Sequence, residues 1–221
     1  MKGKTPKMRV PSKTFCASVI FLLAASAPVL AQGIATGSID AAGTFGYARV
    51  PGETSNNHVA LGGSGLYNFN QVVAAGFEYK YTPLGSNTTP YATINGILVT
   101  GTTYTEHLQT YGGVVRISCS GSSDVVPYAV FGFGGANLHS LASVGSNGLA
   151  DGQGGLYYAF GSGLTIFPGP RWGIRPEVRY ERQQFHHGGY AGLPQAAFGQ
   201  NDVQAIVTVF YQFGGRQSQK N

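Results

Sequence analysis

The run Val203-Gln-Ala-Ile-Val-Thr-Val-Phe-Tyr-Gln-Phe213 decides the fold class of this chain. By the two-residue period of an extended strand, Val203, Ala205, Val207, Val209, Tyr211 and Phe213 share one face. Gln204, Thr208 and Gln212 lie on the other, together with Ile206 and Phe210. Such alternation in an antiparallel sheet normally separates an apolar face from a more polar one. Here the apolar face ends in Tyr-x-Phe, eight residues before Asn221. Whether that face meets a protein core or lipid depends on what precedes it.

Seven more strand-like runs can be laid down upstream, at about 41–50, 58–69, 72–81, 104–117, 125–138, 156–167 and 172–185. Their connections alternate long and short. The long connections are 51–57, 82–103, 139–155 and 186–202, and the short ones 68–71, 118–124 and 168–171. Asn95-Gly96 between Ile94 and Ile97 is a hairpin signal, so 82–103 is expected to carry a small hairpin of its own. The run from Trp172 is the clearest. Trp172, Ile174, Pro176, Val178 and Tyr180 face one way, and Arg175, Glu177, Arg179 and Glu181 the other.

The start of the chain reads as an export signal. Lys2, Lys4, Lys7, Arg9 and Lys13 precede an apolar run from Phe15 to Leu23, and Val29-Leu30-Ala31 offers a cleavage site before Gln32. The run is short for an uncleaved membrane anchor and has Pro28 close behind it. No Leu-rich box before Cys16 suggests lipidation. The expected organisation is a cleaved signal over 1–31, a barrel over 32–213 and a short tail over 214–221. Removing the signal takes five of the 14 Lys and Arg, leaving nine against nine Asp and Glu. The basic balance therefore argues for no nucleic-acid partner. Cys119 remains as a single cysteine without an intramolecular partner.

Composition then separates membrane from soluble. Charged residues make up 10% of the chain, against about a quarter in soluble domains. Gly numbers 34, and Tyr and Phe 13 each. Beyond the signal, no stretch has the length of a membrane helix. A soluble sandwich or lipocalin-type barrel would also show short alternating strands. It would not require long loops at one end only, nor aromatic residues on the outward face. Eight strands with alternating connections match a transmembrane barrel, whose short turns lie on one side and long loops on the other. A membrane also demands closure, because an open edge in lipid leaves backbone groups unpaired.

With Phe77-Glu-Tyr-Lys-Tyr-Thr82, Arg175-Pro-Glu-Val-Arg-Tyr-Glu-Arg182 and Val207-Thr-Val-Phe-Tyr-Gln-Phe213 in view, the chain from about Gly37 to Phe213 resembles the eight-stranded, OmpA-like outer-membrane β-barrel family. The resemblance implies an all-β, antiparallel up-and-down barrel in the outer membrane of a Gram-negative-type bacterium. It also implies a terminal-strand signal, Val207, Val209, Tyr211 and Phe213, read by the barrel-insertion machinery after delivery by periplasmic chaperones. Outer-membrane lipid and lipopolysaccharide are the implied surroundings. No separate peptidoglycan-binding domain is expected after the barrel. Tyr67, Phe69, Phe167 and Trp172, with Tyr211 and Phe213, are expected to form an aromatic girdle at the periplasmic interface.

Polar residues on an outward strand face would be costly in lipid, so the charges of the Trp172 run should point inward. Glu78, Lys80, Arg116, Arg175, Glu177, Arg179 and Glu181 are the expected lumen network. It either plugs the barrel, leaving a structural or surface-interaction role, or lines a narrow porin-like channel. Three long loops, 82–103, 139–155 and 186–202, would carry any surface ligand.

A third reading, a lipid A deacylase or phospholipid hydrolase, would need Ser beside His with a carboxylate behind it. His139-Ser140 and His186-His187, with Glu106, Asp151 and Glu181, are the available residues, and no spacing demands that arrangement. Adjacent histidines on a strand point to opposite faces, so no metal is assigned to His186-His187. Gly132-Phe-Gly-Gly135 and Gly161-Ser-Gly163 open no helix and suggest no cofactor.

Overall fold

The computed structural model describes residues 33–49, 57–94, 97–119, 124–144, 147–185 and 198–216. They form eight strands: β1 (Thr36–Arg49), β2 (Asn57–Asn68), β3 (Val73–Ile94), β4 (Ile97–Ser118), β5 (Val125–Val144), β6 (Asn147–Ile166), β7 (Trp172–Phe185) and β8 (Phe198–Arg216). Each pairs antiparallel with its successor, and β8 returns to β1, closing the barrel. The closing ladder runs from Thr36↔Arg216 to Arg49↔Val203. The expected signal, 1–31, lies outside the described residues.

Side-chain alternation turns the usual distribution inside out. Phe45, Phe77, Phe131, Phe160, Val178 and Val209 project from the outer face, each more than half exposed. Asp40, Glu78, Lys80, Arg116, Arg175 and Arg179 are buried inside. Aqueous solvent would penalise this arrangement, and a lipid surround favours it.

Several strand ends differ from the sequence reading. Ile94 pairs with Ile97 as the Asn-Gly hairpin signal expects, but 82–103 is not a loop around a small separate hairpin: β3 and β4 continue through it to that pair. β5 and β6 likewise absorb most of 139–155, paired to Val144↔Asn147. Polar Thr, Ser and Asn residues read as loop because propensity is weak evidence where pairing partners are supplied by the neighbouring strand. β8 continues to Arg216, so Gly214, Gly215 and Arg216 belong to the strand, not to a tail. A register shift between Pro83 and Gly85 marks where β3 leaves the closed part of the barrel. Its pairing with β2 stops at Leu61↔Tyr81.

Close strand contact depends on glycine where β4 meets β5. A Cβ on Gly134 would lie 2.1 Å from the Tyr111 carbonyl oxygen, and one on Gly112 2.3 Å from that of Phe133. These two lumen-facing residues are register partners on β4 and β5. At the short-turn end, Asn70 accepts from the backbone N–H groups of Val72 and Val73 at 2.8 and 2.7 Å. That Asx-type turn brings β2 into β3.

The short-turn end is closed by apolar side chains. Ile34, Val126, Phe167 and Phe210 form a buried cluster, with the Phe167 and Phe210 rings edge-to-face at 5.6 Å. Phe167 is therefore not a girdle residue. It falls just after β6 ends, and its ring turns into the barrel mouth instead of toward the membrane. Tyr67, Phe69, Trp172, Tyr211 and Phe213 do project outward. Tyr67 stacks edge-on with Phe69 at 5.0 Å, and Tyr211 packs on Phe213 at 4.8 Å.

Candidate functional site

The lumen holds a buried, hydrogen-bonded polar assembly. It is built on inward positions of β1, β2, β3, β4, β5, β7 and β8, each fixed by the two-residue period. All seven charged residues expected in the lumen are buried there.

At the level nearest the short turns, Asp40 receives Arg116 Nη2 at 3.1 Å and Arg175 on the same oxygen. Asn68 completes the layer. Its Nδ2 donates to Asp40 at 2.7 Å, and its Oδ1 accepts from Arg116 at 2.7 Å. The Arg175 guanidinium lies 3.5 Å above the Phe210 ring centroid, so charge sits directly on the apolar stopper.

One layer up, Arg179 is the hub. Its Nη1 meets Glu78 and its Nε meets Glu177, each at 2.5 Å. Tyr128 donates its hydroxyl to Glu177 at 2.9 Å. Above that, Lys80 pairs with Glu181 and donates to Gln204 at 3.2 Å. Gln204 in turn donates to Glu181 at 3.0 Å. Gln183 donates to Asp202 at 3.1 Å at the top of the stack.

The ion pairs join four acids, Asp40, Glu78, Glu177 and Glu181, to four bases, Lys80, Arg116, Arg175 and Arg179. Charges buried to this degree are tolerable only when paired and hydrogen-bonded. A cavity of about 30 Å³ remains beside Glu78, Arg116, Tyr128, Arg175 and Arg179, room for a water but not for a hydrated solute. Leu84, Leu108, Ala136, Tyr157, Ala159 and Phe185 form a second apolar cluster toward the long-hairpin end.

Sequence reasoning missed Asp40, Asn68, Tyr128 and Gln204. Asp40 lay one residue before the expected start of its strand, and Asn68 sat at a predicted turn. Parity would have found both: Asp40 is in phase with Ala42 and Thr44, and Asn68 with Leu66, all on the inner side.

The hydrolase residues do not converge. Ser140 donates to Glu106 at 3.4 Å. His139, its neighbour on β5, points to the opposite face and stacks on His107 with centroids 4.9 Å apart. Burial, and to a lesser degree the adjoining His139, holds the His107 imidazole below its ordinary range. His186-His187 lies outside the described residues.

A family model described as outer membrane protein beta-barrel domain matches residues 17–213. Among solved structures, Neisserial surface protein A superposes with a TM-score of 0.52 at 14% identity, over 81% of this chain and 99% of that one. Ail, the attachment invasion locus protein of Yersinia pestis, in complex with the heparin analogue sucrose octasulfate, gives a TM-score of 0.48 at 14% identity, over 80% and 97%. The N-terminal β-barrel domain of Pseudomonas aeruginosa OprF gives 0.42 at 12%, over 80% and 100%. No curated protein matches the chain in sequence. With a closed antiparallel eight-stranded barrel, an apolar exterior and a family match over most of its length, the chain belongs to the outer membrane protein beta-barrel domain family and resides in the outer membrane.

Proposed function

We propose that this protein is a self-plugged barrel with a structural and surface-interaction role, rather than a solute channel or a lipid hydrolase. The observation that carries the reading is the neutral stack of ion pairs from Asp40 to Glu181 between two apolar stoppers. Eight strands leave an interior that side chains just fill. In this lumen the side chains filling it are bonded to one another, which opposes the rearrangement an open pore would need.

Beyond the membrane, β3 with β4 and β5 with β6 reach the cell surface as paired strands. A surface ligand would meet a hydrogen-bonded sheet whose geometry is set in advance, which lowers the ordering cost of recognition. Toward the periplasm, Tyr67, Phe69, Trp172, Tyr211 and Phe213 serve as an aromatic girdle against lipid headgroups. Val207, Val209, Tyr211 and Phe213 serve as the signal for the insertion machinery. Outer-membrane lipid and lipopolysaccharide are the surroundings of the apolar face.

Planar-bilayer recording tests the plug. Wild-type protein is expected to give no discrete conductance steps, and Arg175→Ala with Glu177→Ala to give brief openings. Stable wild-type channels with ordered ion selectivity would overturn the reading in favour of a narrow porin. Loss of an acyl chain from lipid A on expression would overturn it in favour of a hydrolase.

A further inference from the structure

Among the described residues, the outer surface of the barrel carries a polar array on β4 and β5 that its lipid surroundings do not explain. His107 and His139 are direct register partners on β4 and β5, and Gln109 and Asn137 are the next outward pair toward the membrane. All four are half-exposed. The two imidazoles stack with centroids 4.9 Å apart and planes 19° apart, and Tyr81 packs on the far side of His107 at 5.3 Å. The strand on the other flank offers no side chain: His139 pairs with Gly152 and Asn137 with Gly154. A Cβ added at Gly152 would come 3.5 Å from His139 Nδ1, so glycine there leaves that nitrogen uncovered.

Height matters. His107 and His139 stand ten residues above Ile117 and Ala129, which pair near the periplasmic ends of β4 and β5. A tilted strand needs about 9–11 residues to cross the hydrocarbon, so the pair emerges at the outer, water-accessible interface.

We propose that His107 and His139 form a two-imidazole chelate for a divalent transition-metal ion, open to water at its remaining positions. Cross-strand partners hold their Cβ atoms about 4.5–5.5 Å apart, which lets two side chains reach one ion. Imidazole nitrogens bind Cu²⁺ and Zn²⁺ at about 2.0–2.1 Å, and rotation out of the stack brings one nitrogen of each ring to that distance. Cu²⁺ heads the affinity order for such donors. Gln109 and Asn137 supply neutral oxygens below the pair. Among the described residues no group of three His, Cys, Asp or Glu gathers, so the site is a surface chelate and not a closed structural centre.

Copper titration of the refolded, tag-free barrel in detergent tests this. His186→Ala/His187→Ala serves as the background, so that this adjacent histidine pair contributes nothing. One Cu²⁺ per barrel is expected, with an electron paramagnetic resonance spectrum showing coupling to two nitrogens. His107→Gln or His139→Gln should remove one coupled nitrogen and weaken binding by roughly a hundredfold, the low end of what linking two donors supplies. The gel-mobility shift on boiling should be unchanged, which separates lost binding from lost folding. Equal Cu²⁺ affinity in the His107→Gln/His139→Gln protein would overturn the proposal. So would loss of all binding in the background protein alone.

Discussion

Arg116 Nη2 stands 3.1 Å from Asp40 Oδ2, tying β4 to β1 across the barrel between residues 76 apart in the chain. Arg175 of β7 reaches the same oxygen, so one carboxylate neutralises two arginines from two other strands. All three side chains are almost wholly buried. Such a cluster owes its effect less to Coulomb attraction than to the penalty for removing one member, because the remaining charges cannot return to water.

Asp40→Ala should therefore destabilise the barrel by about 3–5 kcal/mol, the range for stranding a buried charge. Asp40→Asn should cost less, since it keeps an acceptor for one arginine. Urea unfolding of protein refolded into vesicles gives the comparison. A change below about 1 kcal/mol for Asp40→Ala would mean that water enters this layer freely.

Lys80 and Glu181 offer a cycle in which the sign of the coupling is the readout. Each is nearly solvent-free, and each would keep only a longer ion pair of 3.7 Å if the other were replaced, Lys80 with Glu78 and Glu181 with Arg179. Lys80→Met and Glu181→Gln should each cost about 3 kcal/mol or more, and the double variant clearly less than the sum. Glu181 retains Gln204 as a donor in the absence of Lys80, which limits the first loss. Strict additivity would show that the two charges do not sense one another.

How much of this lay open in the sequence depends on which rule each residue obeyed. Arg175, Glu177, Arg179 and Glu181 alternate with Ile174, Pro176, Val178 and Tyr180, and strand periodicity alone places them inside a lipid-facing barrel. Val203 to Phe213 was legible for the same reason. Strand length was not. The segment from Thr82 to Ile94 holds two prolines and polar residues, and only β4 beside it makes it strand. Phe167 was misplaced because its direction is set after the strand ends, by packing on Phe210, where parity no longer applies. The His107–His139 pair depends on register between β4 and β5, which no local pattern reports.

Gly134→Ala tests the close approach of β4 and β5. The added methyl would lie 2.1 Å from the Tyr111 carbonyl oxygen and 2.5 Å from the Gly112 Cα, both backbone atoms that no side-chain rotation can move. A cost of about 1–3 kcal/mol is expected from the forced separation. Gly154→Ala, on the outer face and beside only Asn137 Oδ1 at 3.7 Å, should change stability by less than about 0.5 kcal/mol. Equal effects at the two sites would place the origin in strand propensity instead of contact.

Phe213 and Phe45 separate an address from a packing residue. They face the same way on neighbouring strands and are 53% and 57% exposed at the outer surface. Phe213 pairs with Ile39 and Phe45 with Val207 in the same β1–β8 ladder. Truncating either to Ala removes similar lipid-facing area, so each should lower the stability of refolded barrel by at most about 2 kcal/mol. Only Phe213 belongs to the terminal Tyr-x-Phe pattern proposed to engage the insertion machinery. In cells, Phe213→Ala should reduce the assembled, heat-modifiable form several-fold and leave unassembled protein in the periplasm, while Phe45→Ala assembles near the wild-type level. Refolding into vesicles lacks that machinery, and there the two variants should fold at similar rates. Equal assembly of the two variants in cells would leave Phe213 as a girdle residue only, with recognition then falling to Val207, Val209 and Tyr211.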